Sequence, residues 1–318
     1  MNLLALLLGL FLEHRLTRLF SLREPRWFDA WFDASLRLMS ERYAWLTTAL
    51  AVPVVVLPVL PVLVVSLAFG DRLFGLPYVG FAVLMLLLSL GPRNLQEDAE
   101  DFVDAEREGR SDEVERLAKA LCEHDPPPPD ALGRADALAQ AVFVQANNRL
   151  FGVIFWFVVL GPVGLGPVGA WLFRVSDLLR RRATFEAERR SPGAGEHSVM
   201  LRSINRLHGL LAWLPARLLA LGYALAGSFD QAMADWKAYL DGCSDKYFDA
   251  TERVLACVGL GAIGSVPAPS GDAAAGDAER VPEKAACVRV EQAMALVNRA
   301  LWIWLTGIAL MTLAGSVR

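Results

Sequence analysis

The chain alternates between long apolar runs and charged stretches, and the runs set its architecture. No Asp, Glu, Lys or Arg occurs at residues 44–70, 73–92, 150–173 or 300–317. A helix needs about 20 apolar residues to cross the hydrocarbon core, so these runs predict membrane helices. Backbone groups inside a bilayer must be satisfied within the protein, which leaves helices or closed barrels. Barrel strands read as short alternating segments, and these runs are continuous. The expected fold class is all-α: a polytopic helical membrane protein of about four to six membrane segments, some short, broken or re-entrant, with helical loops between them.

The segments are not alike. Residues 2–12 are apolar but too short for an ordinary span. Glu13, His14 and Arg15 follow where a signal-peptide cleavage site would stand, so they predict a retained, short first helix. Trp27, Phe28, Trp31, Phe32 and Leu36 then recur at helical spacing beside Arg23, Arg26, Asp29, Asp33 and Arg37. That stripe suits a helix in the headgroup layer or a small soluble helix packed on another loop. Residues 44–70 carry Pro53, Pro58 and Pro61, which predict a kinked or broken crossing, and 73–91 return after the turn at Asp71-Arg72.

Residues 93–148 are strongly acidic. Within them Val114, Leu117, Ala118 and Leu121 predict an amphipathic helix from Ser111 or Asp112 to before the rigid spacer Pro126–Pro129. Leu138, Ala139, Val142, Phe143 and Ala146 lead without a break into Leu150, so one helix should leave the water and enter the bilayer. The run at 150–173 is interrupted by Gly161-Pro162-Val163-Gly164-Leu165-Gly166-Pro167 and followed by Arg174, Arg180, Arg181, Arg182, Arg189 and Arg190. A single straight span would put this basic stretch opposite the basic 15–42 stretch. A hairpin or re-entrant element bent at the glycines puts both on the cytoplasmic side, and the hairpin is the expectation.

Residues 207–229 are apolar except for His208 and Arg217, with Pro215 between them. An arginine at mid-bilayer costs about 2.5–3.5 kcal/mol on insertion scales, so Arg217 either faces protein or a cavity or snorkels to the headgroups. Phe229, Met233, Trp236 and Leu240 share one face of a short amphipathic helix, and Tyr247, Val254, Leu255 and Val258 mark a second over 244–258. Residues 261–284 are rich in Gly, Ala, Pro and Ser and read as a flexible linker, before a long helix from about Glu283 that crosses at 300–314. The domain reading is 1–92 N-terminal membrane helices, 93–148 acidic cytoplasmic loop, 149–228 broken membrane hairpin and Pro/Arg segment, 229–283 cytoplasmic helices and linker, and 284–318 C-terminal membrane helix.

Composition adds little chemistry. The net charge of -4 and the lack of a basic tail argue against nucleic acid as a partner. Cys122, Cys243, Cys257 and Cys287 are scattered and read as free, reduced and structural. His14, His124, His197 and His208 are far apart and read as surface or packing residues. No phosphate-binding glycine loop, HExxH, nucleophile elbow or zinc spacing occurs. What remains is a set of polar groups at the ends or middles of apolar helices: Glu13, Asn148, Arg149, Arg174, Asp177 and Arg217. Arg174 and Asp177 are i, i+3 and share a face. The set reads either as interfacial anchors and salt bridges or as an anionic pocket of Arg149, Arg174 and Arg217. That pocket would suit a nucleotide phosphate or a lipid or muropeptide carboxylate, with Glu13 orienting an arginine or holding a metal ion.

Several of these residues carry a resemblance. The apolar start ending in Glu13, the Asn-Arg-x-Phe-x-x-x-Phe-Trp-Phe run at 148–157, the Leu-Gly-Pro-x-Gly after it, Phe173-Arg174 and Trp213-Leu214-Pro215-Ala216-Arg217-Leu218 resemble the AmpE family of inner-membrane proteins. The resemblance covers most of the chain and is strongest over 148–217. It implies a regulatory or sensory role in β-lactamase induction and cell-wall recycling, with anhydro-muropeptide pathway proteins or an anionic small molecule as partners, and allows an oligomer. AmpE is in turn similar to the adenosylcobinamide-phosphate synthases of cobalamin synthesis, sharing the Pro-Ala-Arg-Leu element and the Glu near the end of the first helix. Those enzymes form an amide using ATP, so this second resemblance implies an ATP-dependent, Mg-assisted amide ligase. Gln145-Ala146-Asn147-Asn148 stands where the synthases have an acidic Glu-Asn pair, and Arg149 follows where they have an acidic residue. Transport, which also uses broken helices, would need ion ligands that the charge-free spans hardly offer.

Overall fold

The computed structural model describes residues 5–10, 12, 26–38, 44–69, 76–90, 95–123, 128, 131–190, 199–242, 251–264 and 281–315, and among them there are helices and no strands. Glu13, Cys243, Tyr247, His14, His124, His197, the turn at Asp71-Arg72 and most of the proline spacer lie outside the described residues. Ala49–Ala68, Gly133–Val163, Val199–Ala226 and Ala285–Leu313 are long and apolar enough to cross a membrane, and Pro77–Ser89 is a shorter apolar helix. The protein is a polytopic helical membrane protein. Its spans carry the outward apolar surface a bilayer needs, as at Val52, Val56, Leu60, Val64 and Leu67 along one span and Trp302, Leu310 and Met311 along another.

The chain divides into two compact units, one of Met1–Pro92, Asn148–Pro215 and Thr306–Arg318, the other of Arg93–Asn147 and Ala216–Leu305. The first is built on the helix Gly166–Arg190, against which Arg26–Leu38, Ala44–Val56, Leu60–Phe69, Leu76–Ser89 and Gly152–Leu160 all pack. Its stripe Val168, Trp171, Val175, Leu179, Ala183 and Ala187 repeats every three or four residues, the spacing that keeps one helical face in the core. Phe32 and Leu36 of the aromatic helix are buried in the same core, while Trp31 is partly exposed.

Prolines break the apolar helices here, and tryptophans repair the damage. The expected break in the 44–70 segment falls at Leu57–Val59, a 3-10 turn between Ala44–Val56 and Leu60–Phe69. Pro58 has no N–H to give the carbonyl four residues back, which is that of Val54. The Trp31 indole Nε1–H donates to Val54 O at 3.3 Å instead, and Trp171 Nε1–H donates to Pro58 O at 3.2 Å. Pro215 likewise orphans the carbonyl of Leu211 inside the helix Val199–Ala226, and Trp156 Nε1–H donates to Leu211 O at 3.0 Å. A buried carbonyl without a partner would cost about 1–3 kcal/mol, so the Trp31 and Trp156 indoles are part of what lets a membrane helix tolerate its proline.

The 150–173 run folds as the expected hairpin. Gly152–Leu160 ends in a 3-10 turn at Gly161–Val163, Gly164 takes the left-handed conformation with φ 76°, and the helix Gly166–Arg190 folds back against the first arm. The arms touch through small residues: a Cβ at Gly169 would lie 2.5 Å from Trp156 O, and one at Gly166 would lie 2.9 Å from Phe157 O. Close approach through glycine is how membrane helices gain contact where lipid supplies no hydrophobic drive.

The second unit packs Leu95–Arg107, Ser111–Cys122 and Ala131–Ala146 together, and Thr251–Ile263 against both Ala131–Ala146 and Phe229–Gly242. The predicted stripe of Val114, Leu117, Ala118 and Leu121 is the buried face of its helix. Gln145 Nε2–H donates to the Leu121 carbonyl, one of the last-turn acceptors that a helix cannot satisfy itself. Tyr223 donates its hydroxyl proton to Phe143 O at 3.2 Å, with the two rings 5.0 Å apart. Three expectations change here. Leu95–Arg107 is a further helix, its apolar positions Leu95, Ala99, Phe102 and Val103 hidden among acidic ones. The expected linker is helical at both ends, through Ile263 and from Val281, because Val254, Leu255, Val258 and Ala262 continue a buried stripe into the glycines. In Phe229–Gly242 the buried side chain is Ala232, where Gly261 allows close approach, while Phe229 and Leu240 stay exposed.

Candidate functional site

The helix at the centre of the first unit carries a second, polar stripe. Arg174, Asp177 and Arg181 follow one another at i, i+3 and i+7, with Arg180 beside them, so helical spacing brings three guanidinium groups to one carboxylate. Arg174 Nη1–H donates to Asp177 Oδ2 at 3.1 Å, Arg180 Nη2–H to Oδ1 at 3.1 Å, and Arg181 Nε–H to Oδ2 at 2.9 Å. Asp177 is fully buried, Arg174 and Arg180 nearly so, and Arg181 about three-quarters buried. Burial alone would raise the Asp177 carboxyl, and the surrounding guanidinium charges outweigh it, holding the group well below the usual carboxylate range. A guanidinium is a rigid planar fork of N–H donors, so its bond to Asp177 helps to fix its plane.

A histidine borders this cluster. His208, buried on Val199–Ala226, packs tilted against the Phe173 ring with centroids 5.3 Å apart and lies within electrostatic reach of Arg180, Asp177 and Arg181. Its Nδ1 is 3.1 Å from the Ser176 hydroxyl, which in turn donates to Phe173 O at 2.7 Å. One turn further along the central helix, Arg182 holds Asp33 bidentately at 2.8 and 2.9 Å, and that hydrogen bond keeps the Asp33 carboxyl below its ordinary value.

Of the residues singled out in the sequence, Arg174 and Asp177 are paired as their spacing predicts. Asn148 is buried and Arg149 half-buried, side by side in a π-helical turn, Asn147–Phe151, between Ala131–Ala146 and Gly152–Leu160. Such turns insert an extra residue into a helix and recur at functional sites. Arg217 is half-buried in the second unit, within electrostatic reach of Tyr239. Glu13 lies outside the described residues. The residues that sequence reasoning passed over are Arg180, Arg181, Ser176 and His208. Arg180 and Arg181 read as topology signals, yet their spacing of three and four from Asp177 marks them as its partners. His208 stands out as a polar exception in its apolar run, but nothing in that run pairs it with Ser176, which comes from another helix.

A family model described as "Regulatory signalling modulator protein AmpE" matches residues 1–259. The chain is also similar to two curated proteins, each named cobalamin biosynthesis protein CobD. One, from Chromobacterium violaceum, is 28% identical over 240 residues, which cover 74% of this chain and 70% of the relative. The other, from Stutzerimonas stutzeri, is 30% identical over 169 residues, covering 51% and 50%. No solved structure matches. The matched region holds the hairpin, the Asp177 cluster and the indole-supported proline helix, and the chain belongs to the AmpE family of regulatory membrane proteins.

Proposed function

We propose that this protein is an inner-membrane sensor in the circuit that links cell-wall recycling to β-lactamase induction, and that its Asp177-centred arginine cluster receives an anionic ligand. The observation that carries the ligand reading is three arginines converging on one fully buried carboxylate in the helix that organises the first unit. Asp177 holds their forks at fixed angles, which is the preorganisation that recognition of a carboxylate or phosphate requires. The basic stretch 174–190 and the acidic stretch 93–148 would then both be cytoplasmic, where a muropeptide or nucleotide signal is available and partner proteins can dock. In a strain relying on this chain, Arg181→Gln is expected to blunt or deregulate β-lactamase induction while the protein still accumulates in the membrane. Normal induction at normal protein level would remove the ligand reading.

The similarity to CobD proteins supports a second reading, an ATP-dependent amide-forming enzyme acting on another substrate. Purified protein should then bind or hydrolyse ATP in the presence of Mg²⁺. Neither activity, in a folded sample, would eliminate this reading and leave the first untouched.

A further inference from the structure

The helix Val199–Ala226 carries its first charges on the side that faces away from the protein. Its inward residues Met200, Leu201 and Ile204 are buried in one core with Leu179, Ala183 and Ala187 of the central helix. Its outward face reads Arg202, Arg206, Leu210 and Leu214, four residues apart and all exposed. Positions four apart are neighbours on a helix surface, so this face passes directly from guanidinium groups to leucines. No Asp or Glu occurs in the 28 residues of the helix.

The spacing sets what meets each group. Residues 207–226 carry Arg217 as their only charge, and a run of that length, about 20 residues, crosses the hydrocarbon, so the apolar layer begins between Arg206 and Leu210. Four residues advance a helix by about 6 Å, and the headgroup layer on each side of a bilayer is about 5–7 Å deep. Arg206 therefore stands among lipid phosphates, and Arg202, a turn further out, reaches them along its flexible stem. A zwitterionic headgroup carries an ammonium beside its own phosphate, whereas the phosphate of phosphatidylglycerol has no cation of its own. Two exposed arginines on a helix that bears no acid favour the second kind. We infer that Arg202 and Arg206 form a binding face for the headgroups of anionic phospholipids in the bilayer that this helix crosses. The face serves whether or not the Asp177 cluster takes a ligand.

The full-length protein in a mild detergent is titrated with phosphatidylglycerol and with phosphatidylcholine of the same chains, and bound lipids are counted by native mass spectrometry. The first phosphatidylglycerol is expected to bind at least about fivefold more tightly than the first phosphatidylcholine, since one basic group near a membrane surface contributes about that factor. Arg202→Gln with Arg206→Gln should bring the two lipids to within about twofold of each other, at an unchanged thermal midpoint because both side chains are exposed. Arg189, equally exposed on the central helix but 3.9 Å from Glu186, supplies the control, and Arg189→Gln should leave the preference in place. Equal binding of the two lipids by the unaltered protein would overturn the proposal, and so would a preference that survives the double substitution. An equal loss in Arg189→Gln would also overturn it, because the attraction would then belong to the net charge and not to this face.

Discussion

Asp136 and Asp177 are each held by arginine, and the two arrangements do opposite things. At Asp136 one arginine meets one carboxylate: Arg289 Nε–H donates to Oδ1 at 2.8 Å, and Arg289 Nη1–H donates to the Gly264 carbonyl. That single buried guanidinium joins the helices Ala131–Ala146 and Val281–Leu313 to the end of Thr251–Ile263, so it has an evident structural purpose. At Asp177 three arginines meet one carboxylate, and all three come from the same helix. These bonds join no second helix, although burying four charged groups carries a large desolvation cost. One pair ties helices together, and the other gathers like charge about a single carboxylate on one helix.

The largest effect should come from removing the centre of the second arrangement. Asp177→Leu leaves three buried guanidinium groups without their shared carboxylate and should cost about 3–5 kcal/mol, seen as a large drop in thermal midpoint or as loss of protein from the membrane. A loss below about 1 kcal/mol would mean that the four groups do not act as one electrostatic unit. Arg289→Ala should cost less, about 2 kcal/mol, because Asp136 is 40% exposed and can turn to water. A double-mutant cycle with Asp136→Ala should recover much of that loss, which sets a matched bridge apart from a convergent cluster.

Next in size is a purely structural contact. Trp156→Phe keeps the ring and deletes the donor to the carbonyl that Pro215 orphans, and it should cost about 1–2 kcal/mol in the same unfolding measurement. Adding Pro215→Ala restores a backbone N–H for Leu211 O, so the pair should be less destabilised than the sum of the two. Strict additivity would mean that indole and proline are not partners. The smallest effect should be acid sensitivity from Asp33. Its folded-state value lies below its unfolded one, so its contribution is complete above about pH 4 and is lost as pH falls through the folded value. Arg182→Gln should flatten that part of a stability-against-pH curve and leave the neutral region almost unchanged.

Much of this architecture is legible in the sequence, because membrane segments announce themselves by absence of charge over a sufficient length. The hairpin was readable from Gly161 to Pro167, and the buried face of Ser111–Cys122 from its spacing. Leu95–Arg107 was harder to see because its few apolar residues are outnumbered by acidic ones. The prolines at 58 and 215 foretold broken or strained helices but not their remedy, since the indoles that satisfy Val54 and Leu211 come from 23 and 55 residues away. The site was half legible for the same reason. Arg174 and Asp177 pair by local periodicity, and Arg180 and Arg181 obey that rule too, though a run of arginines also fits the charge bias of a membrane flank. His208 joins through a contact 32 residues apart in sequence, which no local spacing encodes.

Whether the Asp177 cluster is a binding site is tested most directly by an experimental structure of the full chain extracted from native membranes with its bound molecules retained. Non-protein density within hydrogen-bond distance of the Arg174, Arg180 or Arg181 guanidinium is the expected result. A map with no non-protein density against any of the three guanidinium groups would contradict it.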